Sequence, residues 1–190
     1  MGSLSSIGRI FYGIAIAGII IVAIYYHKLP YILGPGLIPK GPRLFHLPDW
    51  ENAAKVLSLV AGALALAKGK FGRVGAVLYA LTIVYYGIIH FMVAKEAESY
   101  IPAWIPWHLF WMYFCGAALI ASGIGIIGRT KQKLAAILLG AMILTWFLIL
   151  HVPRVAVADA TAMDGELQSA LFALAYSGTA FVISGTTNKK

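Results

Sequence analysis

Cysteine is almost absent from this chain, since Cys115 is the only one among 190 residues. A single cysteine excludes an internal disulfide, a CxxC redox pair and a cluster of thiolate metal ligands within the chain. Charge is also scarce, because charged residues make up 12% of the sequence, against about 25% in an average soluble protein. The sequence has neither a GxSxG nucleophile motif nor a P-loop. A soluble enzyme and a disulfide-stapled scaffold are therefore poor interpretations.

The chain is rich in apolar residues. They make up 61% of the sequence, and the mean hydropathy is +0.83. A single core of this size cannot enclose so much apolar surface away from water. We therefore predict an all-α fold, a polytopic transmembrane helical bundle with about six spans.

The predicted spans can be read from the length of each apolar segment, because a helix that crosses a bilayer needs about 20 apolar residues. Six segments qualify or come close: residues 10–26, 53–67, 74–94, 107–128, 134–151 and 167–185. The second is the shortest, so it is either a short span or a re-entrant segment. The first has no small-x-small cleavage site at its end, so we interpret it as an uncleaved anchor rather than a signal peptide.

Proline and glycine divide the chain into three parts. Residues 27–52 hold five of the eight prolines, and this composition predicts an extended, turn-rich segment. We expect an N-terminal transmembrane anchor at residues 1–26, a Pro/Gly-rich outer loop at 27–52 and a helical bundle at 53–190.

Charged residues sort to the two sides of the predicted bundle. With the N-terminus placed inside, six spans give an inner side with nine basic residues and no acid: Arg9, Lys68, Lys70, Arg73, Arg129, Lys131, Lys133, Lys189 and Lys190. All seven acids then fall on the outer side. Because basic loops mark the cytoplasmic side, we expect both termini there. The net charge of +8 is thus a topology signal that favours anionic lipid over nucleic acid as a partner.

Three histidines are expected at one depth near the outer boundary. His90 lies near the end of the third predicted span, His108 at the start of the fourth and His151 at the end of the fifth. Tyr86 shares a helical face with His90, and Arg154 follows His151 by three residues. We predict that these five residues line one outward-facing pocket. The alternative is that they are interfacial anchors, with Arg154 extending to the lipid headgroups.

Helical spacing assigns a face of each of these three spans to the predicted pocket. On the third span the face consists of Tyr79, Ile83, Tyr86 and His90. On the fourth it includes His108, Trp111, Cys115 and Leu119. On the fifth it consists of Gly140, Leu144, Phe147 and His151.

Three kinds of chemistry fit such a pocket. A quinone needs His, Tyr or Arg groups near its ring oxygens, beside aromatic walls. A haem b needs two facing imidazoles, which His90 and His151 supply only if the third and fifth spans are neighbours. A metal ion would take the histidines together with Glu96 or Glu98. No spacing motif selects among them, so quinone and haem b both remain possible cofactors and no metal site is assigned.

Several stretches carry a family resemblance: His90-Phe91, the aromatic run 101–111, the small-residue run 116–122 and the segment 148–155, which contains His-Val-Pro-Arg. Together they resemble the DoxX-like (DoxX/DoxD) family of small bacterial membrane proteins, over residues 52–185. The resemblance implies a helical bundle in the bacterial inner membrane that is linked to quinone-dependent redox chemistry. Members are typically four-helix proteins, so the N-terminal span and the outer loop are additions to that pattern.

Three functions are compatible with this sequence. The first is a membrane protein associated with quinone-linked redox chemistry, whose outer pocket binds quinone or haem. The second is a non-catalytic accessory subunit that docks on a larger membrane complex through the N-terminal span and the outer loop. The third is a small transporter, although the spans have no charged residue near their centres. Whether the protein is an enzyme stays open at this point.

Overall fold

The structure, a computed structural model, describes residues 3–27, 38–67, 69–129 and 131–186. The α-helices of these residues are α1 (Ser3–Tyr25), α2 (Glu51–Leu66), α3 (Gly69–Met92), α4 (Ala94–Ala97), α5 (His108–Ile127), α6 (Gln132–Trp146), α7 (Val152–Val157) and α8 (Met163–Ser184). A π-helical turn at Phe147–His151 joins α6 to α7, and short 3-10 turns occupy Gly41–Phe45, Leu47–Trp50 and Glu98–Tyr100. The described residues form no strand, so the predicted all-α bundle is confirmed.

Five helical stretches in the described part of the chain are long and apolar enough to cross a membrane. They are Ser3–Tyr25, Gly69–Met92, His108–Ile127, Gln132–Val157 and Met163–Ser184. The remaining predicted span, the second in chain order, corresponds to α2, which has 16 residues. A helix of that length rises about 24 Å, less than the roughly 30 Å of a bilayer's hydrocarbon core.

Despite its length, α2 runs from one end of the bundle to the other. Arg9, near the start of α1, donates to the carbonyl oxygen of Leu66 at the end of α2, at 3.5 Å. Tyr86, near the end of α3, donates to the carbonyl oxygen of Glu51 at the start of α2, at 3.4 Å. Gly69 takes a φ of +67° in the turn that reverses the chain into α3, a conformation that favours glycine. The long helices therefore alternate in direction along the chain.

The last helix, α8, is the centre of the bundle and packs against α1, α2 and α6. Small residues allow the close approach: a Cβ added at Gly8 of α1 would lie 2.5 Å from the carbonyl oxygen of Gly178. The buried hydroxyl groups of α8 bond within the bundle, since Thr179 donates to the carbonyl oxygen of Ala175 at 2.8 Å. The first helix, predicted as an anchor, is thus packed into the bundle along its length. The division at residue 26 stays a prediction.

The acids of the described residues all lie at one end of the bundle, and the opposite end holds only basic charges. The basic end, where α1 begins, holds six basic residues and no acid: Arg9, Lys70, Arg73, Arg129, Lys131 and Lys133. The acidic end holds all seven acids: Asp49, Glu51, Glu96, Glu98, Asp159, Asp164 and Glu166. Three further residues predicted on the basic side lie outside the described residues, namely Lys68, Lys189 and Lys190.

The described part of the predicted outer loop folds against the acidic end. Two consecutive 3-10 turns, Gly41–Phe45 and Leu47–Trp50, are tied together by Arg43, whose guanidinium donates twice to the Asp49 carboxylate at 3.1 Å. These bonds hold the pKa of Asp49 below its ordinary value. Tyr85 of α3 donates to the carbonyl oxygen of Leu47 at 3.0 Å, which fixes the turns to the bundle. Residues 28–37 of the loop lie outside the described residues.

Candidate ligand-binding site

A cavity of about 450 Å³ lies between α3, α5, α6 and α8, towards the acidic end. We call it the histidine cavity, because His90 and His151 both lie in its wall. Its deeper part is apolar and is lined by Ile83, Leu119, Met142 and Ile143. Its volume falls within the range of about 300–1,000 Å³ that is usual for small-molecule sites.

Three of the five predicted site residues line this cavity: Tyr86, His90 and His151. His108, at the first position of α5, lies outside its lining. Arg154 also lies outside the lining, one helical turn beyond His151. The structure therefore brings together the residues predicted from α3 and the end of α6, but not all five.

The surroundings of His90 determine which ring nitrogen carries the proton. Nδ1 lies 2.7 Å from the backbone carbonyl oxygen of Tyr86, one turn earlier in α3. A carbonyl oxygen only accepts hydrogen bonds, so Nδ1 carries the proton in this contact. In the neutral ring, Nε2 is then left with its lone pair as an acceptor.

His151 is placed by a break in the regular helix. Pro153 has no N–H, so the backbone cannot continue the α-helical bonds of this turn, and the chain widens into the π-helical turn Phe147–His151. The Nδ1 atom of His151 is buried and makes no hydrogen bond with the described residues. An unpaired buried ring nitrogen in a cavity wall is a group that a ligand can satisfy.

Aromatic side chains form much of the remaining wall. The rings of Trp111 and Trp146 lie edge to face with their centroids 6.1 Å apart. The indole N–H of Trp146 donates to Cys115 Sγ at 3.0 Å, and that of Trp111 donates to the carbonyl oxygen of Pro106 at 3.1 Å. Phe172 of α8 completes the wall on the opposite side. Flat apolar faces of this kind suit a planar ring.

A chain of tyrosines links the cavity to the core of the bundle. The hydroxyl groups of Tyr86 and Tyr176 are 3.1 Å apart, and both side chains line the cavity. Behind them, Tyr79 is fully buried and donates to the backbone carbonyl oxygen of Tyr176 at 2.7 Å. The cavity wall is therefore braced between α3 and α8 by hydrogen bonds.

One ion pair lies in the cavity wall. Lys55 Nζ is 2.7 Å from Glu51 Oε1, a pair one turn apart on α2, and both residues belong to the lining. The same ammonium group lies 5.9 Å from the centre of the Phe172 ring. The charge of Lys55 is thus balanced by neighbouring groups of the protein.

The segment between α3 and α5, residues 93–107, covers the acidic end of the cavity. Tyr100 and Ile101 from this segment are part of the lining, and Ile101 is buried. Arg154 makes a two-point ion pair with Glu166, and its guanidinium lies 4.8 Å from the centre of the Tyr100 ring. Arg154 therefore ties this covering segment to α7 and α8.

The predicted faces of the helices differ in how well they match the cavity. On α3, Ile83, Tyr86 and His90 line it, and on α5, Trp111, Cys115 and Leu119 do. On α6 most of the predicted face points away from the cavity. A Cβ at Gly140 would meet the Phe181 ring, and both Leu144 and Phe147 pack towards α1 and α8. The cavity side of α6 and the π-turn is instead formed by Met142, Ile143, Trp146, Leu150 and His151.

The other chemistries considered from the sequence were a metal ion and a haem. Among the residues that the structure describes, no three His, Cys, Asp or Glu side chains come together to hold a metal ion. The two imidazoles come from α3, which packs against α2 and α5, and from the end of α6, which packs against α5 and α8. They therefore approach one cavity from separate helices.

Comparison with known proteins identifies no relative. No family model, no curated protein and no solved structure matches the chain.

Proposed function

We propose that this protein binds a quinone-class ligand in the histidine cavity and takes part in quinone-linked redox chemistry in a bacterial inner membrane. The observation that supports the proposal is that His90, His151 and Tyr86 line one cavity whose wall also holds the rings of Trp111, Trp146 and Phe172. A quinone has a flat ring with an oxygen atom at each end and apolar substituents. Those features match imidazole and phenol groups above an apolar floor.

The sequence resemblance points the same way. The DoxX-like stretches lie within residues 52–185, and most of the cavity wall comes from that part of the chain. In this proposal α1 is a structural addition that buries one side of α8. Membership of the family stays a prediction.

Orientation in the membrane belongs to the proposal. The basic end would face the cytoplasm and the acidic end, with the cavity, would face outward, because basic segments are retained inside. In a Cys115→Ala background, a membrane-impermeant maleimide added to intact cells should label Glu98→Cys but not Lys133→Cys. After the cells are broken, both should react. Labelling of Lys133→Cys alone in intact cells would reverse the orientation.

Quinone binding is tested directly with the purified protein in lipid nanodiscs. Quenching of intrinsic tryptophan fluorescence by decylubiquinone reports binding, since Trp111 and Trp146 are in the wall. We expect His90→Ala and His151→Ala each to weaken binding by about tenfold, the loss of one buried hydrogen bond. His46→Ala is the matched control, because His46 lies in the outer loop and pairs with Asp49. Unchanged binding in both cavity variants would refute the site.

The same preparation separates this proposal from the other hypotheses. A reduced-minus-oxidised absorption band of the native protein would identify haem rather than quinone. Isolation in a stable complex whose activity survives loss of both cavity histidines would favour the accessory subunit. Solute flux in liposomes would favour a transporter.

A further inference from the structure

We propose that the histidine cavity prefers the reduced hydroquinone to the oxidised quinone. This inference rests on the proposed function and names the form of the ligand. Its basis is the direction of the hydrogen bonds in the cavity wall. A quinone carbonyl only accepts hydrogen bonds, whereas a hydroquinone hydroxyl can both donate and accept.

Most neutral donors of the wall already serve acceptors of the protein. The indole N–H groups of Trp111 and Trp146 donate to Pro106 and to Cys115, as described above. Ser169 donates to the carbonyl oxygen of Gly165 at 2.9 Å. A quinone carbonyl at these positions would therefore receive no hydrogen bond, because each donor already bonds to an acceptor of the protein.

Two of the three tyrosines in the lining, Tyr86 and Tyr176, also use their protons within the protein. Tyr86 contacts the carbonyl oxygen of Glu51 at 3.4 Å and the hydroxyl of Tyr176 at 3.1 Å. The arrangement that satisfies both contacts has Tyr86 donating to Glu51 and Tyr176 donating to Tyr86. Both protons are then used within the protein, so neither hydroxyl has a proton left to donate to a quinone carbonyl.

The histidines supply acceptor capacity. The Nδ1–H of His90 donates to Tyr86, so the neutral ring offers Nε2 as an acceptor. His151 Nδ1 has no partner to fix its tautomer. A ligand hydroxyl satisfies this nitrogen in either tautomer, whereas a carbonyl satisfies only the protonated one.

Two further donors belong to the lining, the Lys55 ammonium and the Tyr100 hydroxyl. The Lys55 ammonium is held by the Glu51 carboxylate, and the Tyr100 ring is stacked on Arg154 at an exposed position. Neither position provides a neutral, buried donor. The balance of hydrogen-bond donors and acceptors in the wall therefore favours a ligand with hydroxyl groups that donate.

This preference would change the redox behaviour of the bound ligand. Reduction follows the balance quinone + 2e⁻ + 2H⁺ → hydroquinone, with electrons supplied in the test by mediators at a set potential. A tenfold tighter hold on the product raises the two-electron midpoint potential by about 30 mV. The bound quinone would thus be reduced more readily than the free one.

The test is anaerobic equilibrium binding of decylubiquinol and decylubiquinone to the full chain in nanodiscs. We expect the quinol to bind at least about tenfold more tightly, because it can donate hydrogen bonds to buried acceptors and the quinone cannot. Equal affinity, or tighter binding of the quinone, would overturn this inference and leave the proposed function standing. Binding of neither form would overturn the proposed function and this inference with it.

A variant checks the cause of the preference. His90→Gln replaces the acceptor nitrogen with an amide that can also donate to a quinone carbonyl, so the ratio of quinol to quinone affinity should fall towards one. His46→Gln in the outer loop should leave the ratio unchanged. A ratio that is the same in His90→Gln as in the wild type would show that His90 does not set the preference.

Discussion

The indole Nε1 of Trp146 lies 3.0 Å from Cys115 Sγ, and both side chains form part of the wall of the histidine cavity. The only cysteine of the chain is therefore a built-in reporter of the cavity. Its side chain is buried, so a reagent reaches it only through the cavity or through opening of the bundle. This relationship leads to the first prediction.

A ligand in the cavity should protect Cys115 from alkylation by N-ethylmaleimide. With decylubiquinol at ten times its dissociation constant, the rate should fall about tenfold, because only the empty form reacts. Mass spectrometry of timed samples measures the rate. In a Cys115→Ala background, Leu138→Cys on the exposed side of α6 is the control, and its rate should not change. Equal protection at both positions would show a non-specific effect.

The second prediction concerns the packing of α1. In Gly8→Ala, the added methyl group would meet the carbonyl oxygen of Gly178 at 2.5 Å and the amide nitrogen of Val182 at 2.7 Å. Backbone atoms cannot move aside cheaply, so we expect a loss of about 1–3 kcal/mol in the free energy of unfolding. Gly13→Ala on the same helix meets nothing within 4 Å and should be neutral. Thermal melts in detergent compare them, and equal melting temperatures would mean that α1 is a dispensable anchor.

The third prediction concerns the ion pair of Arg154 with Glu166. Their side chains are 34% and 17% exposed, and the guanidinium donates to both carboxylate oxygens. Arg154→Met and Glu166→Gln should each cost about 1–2 kcal/mol, with a double variant that costs less than the sum. Arg73→Met, at an exposed position of the basic end, is the matched control. Strictly additive losses in a double-mutant cycle would contradict a direct pair.

The fourth prediction concerns pH and the turn before α8. The Asp159 carboxylate accepts bonds from the Thr161 hydroxyl and from the backbone N–H groups of Thr161 and Ala162, and these bonds lower its pKa. A lowered folded-state pKa means that the contribution to stability is present above the ordinary aspartate pKa. It is lost as pH falls through the lowered value. The melting temperature of Asp159→Ala should therefore differ from the wild type at neutral pH and converge with it in acid.

Asp159→Asn is the companion variant, because asparagine retains an acceptor oxygen without the charge. It should keep part of the stabilisation and lose the pH dependence that Asp159 contributes. A difference between Asp159→Ala and the wild type that grows on acidification would contradict the assignment.

The α3 face illustrates what spacing alone can predict. Ile83, Tyr86 and His90 follow helical periodicity on a regular helix, and all three lie in the cavity wall. The same rule applied to α6 failed, because Gly140 and Leu144 pack away from the cavity while His151 lies in its wall. The π-helical turn next to Pro153 shifts the register between them. A proline is visible in the sequence, but the length and position of the adjustment depend on the helices packed around it.

Tyr176 marks a second limit. It lies on α8 among small residues, and nothing in its spacing distinguished it as part of a site. Its hydroxyl meets Tyr86 across 90 residues of sequence, a contact that depends on where the bundle places α3 and α8. Arg154 is the converse case, since it was predicted in the pocket and is held instead by Glu166 and Tyr100.

The sequence by itself determined that the chain is an all-helical bundle with membrane-length helices and with its acids at one end. Those properties follow from apolar length and from where charges are tolerated, both of which are local. Only the tertiary structure decided which helix is central and which side chains share the cavity. Close packing at Gly8 and Gly178, and the π-turn before His151, set those relationships through contacts between residues far apart in the chain.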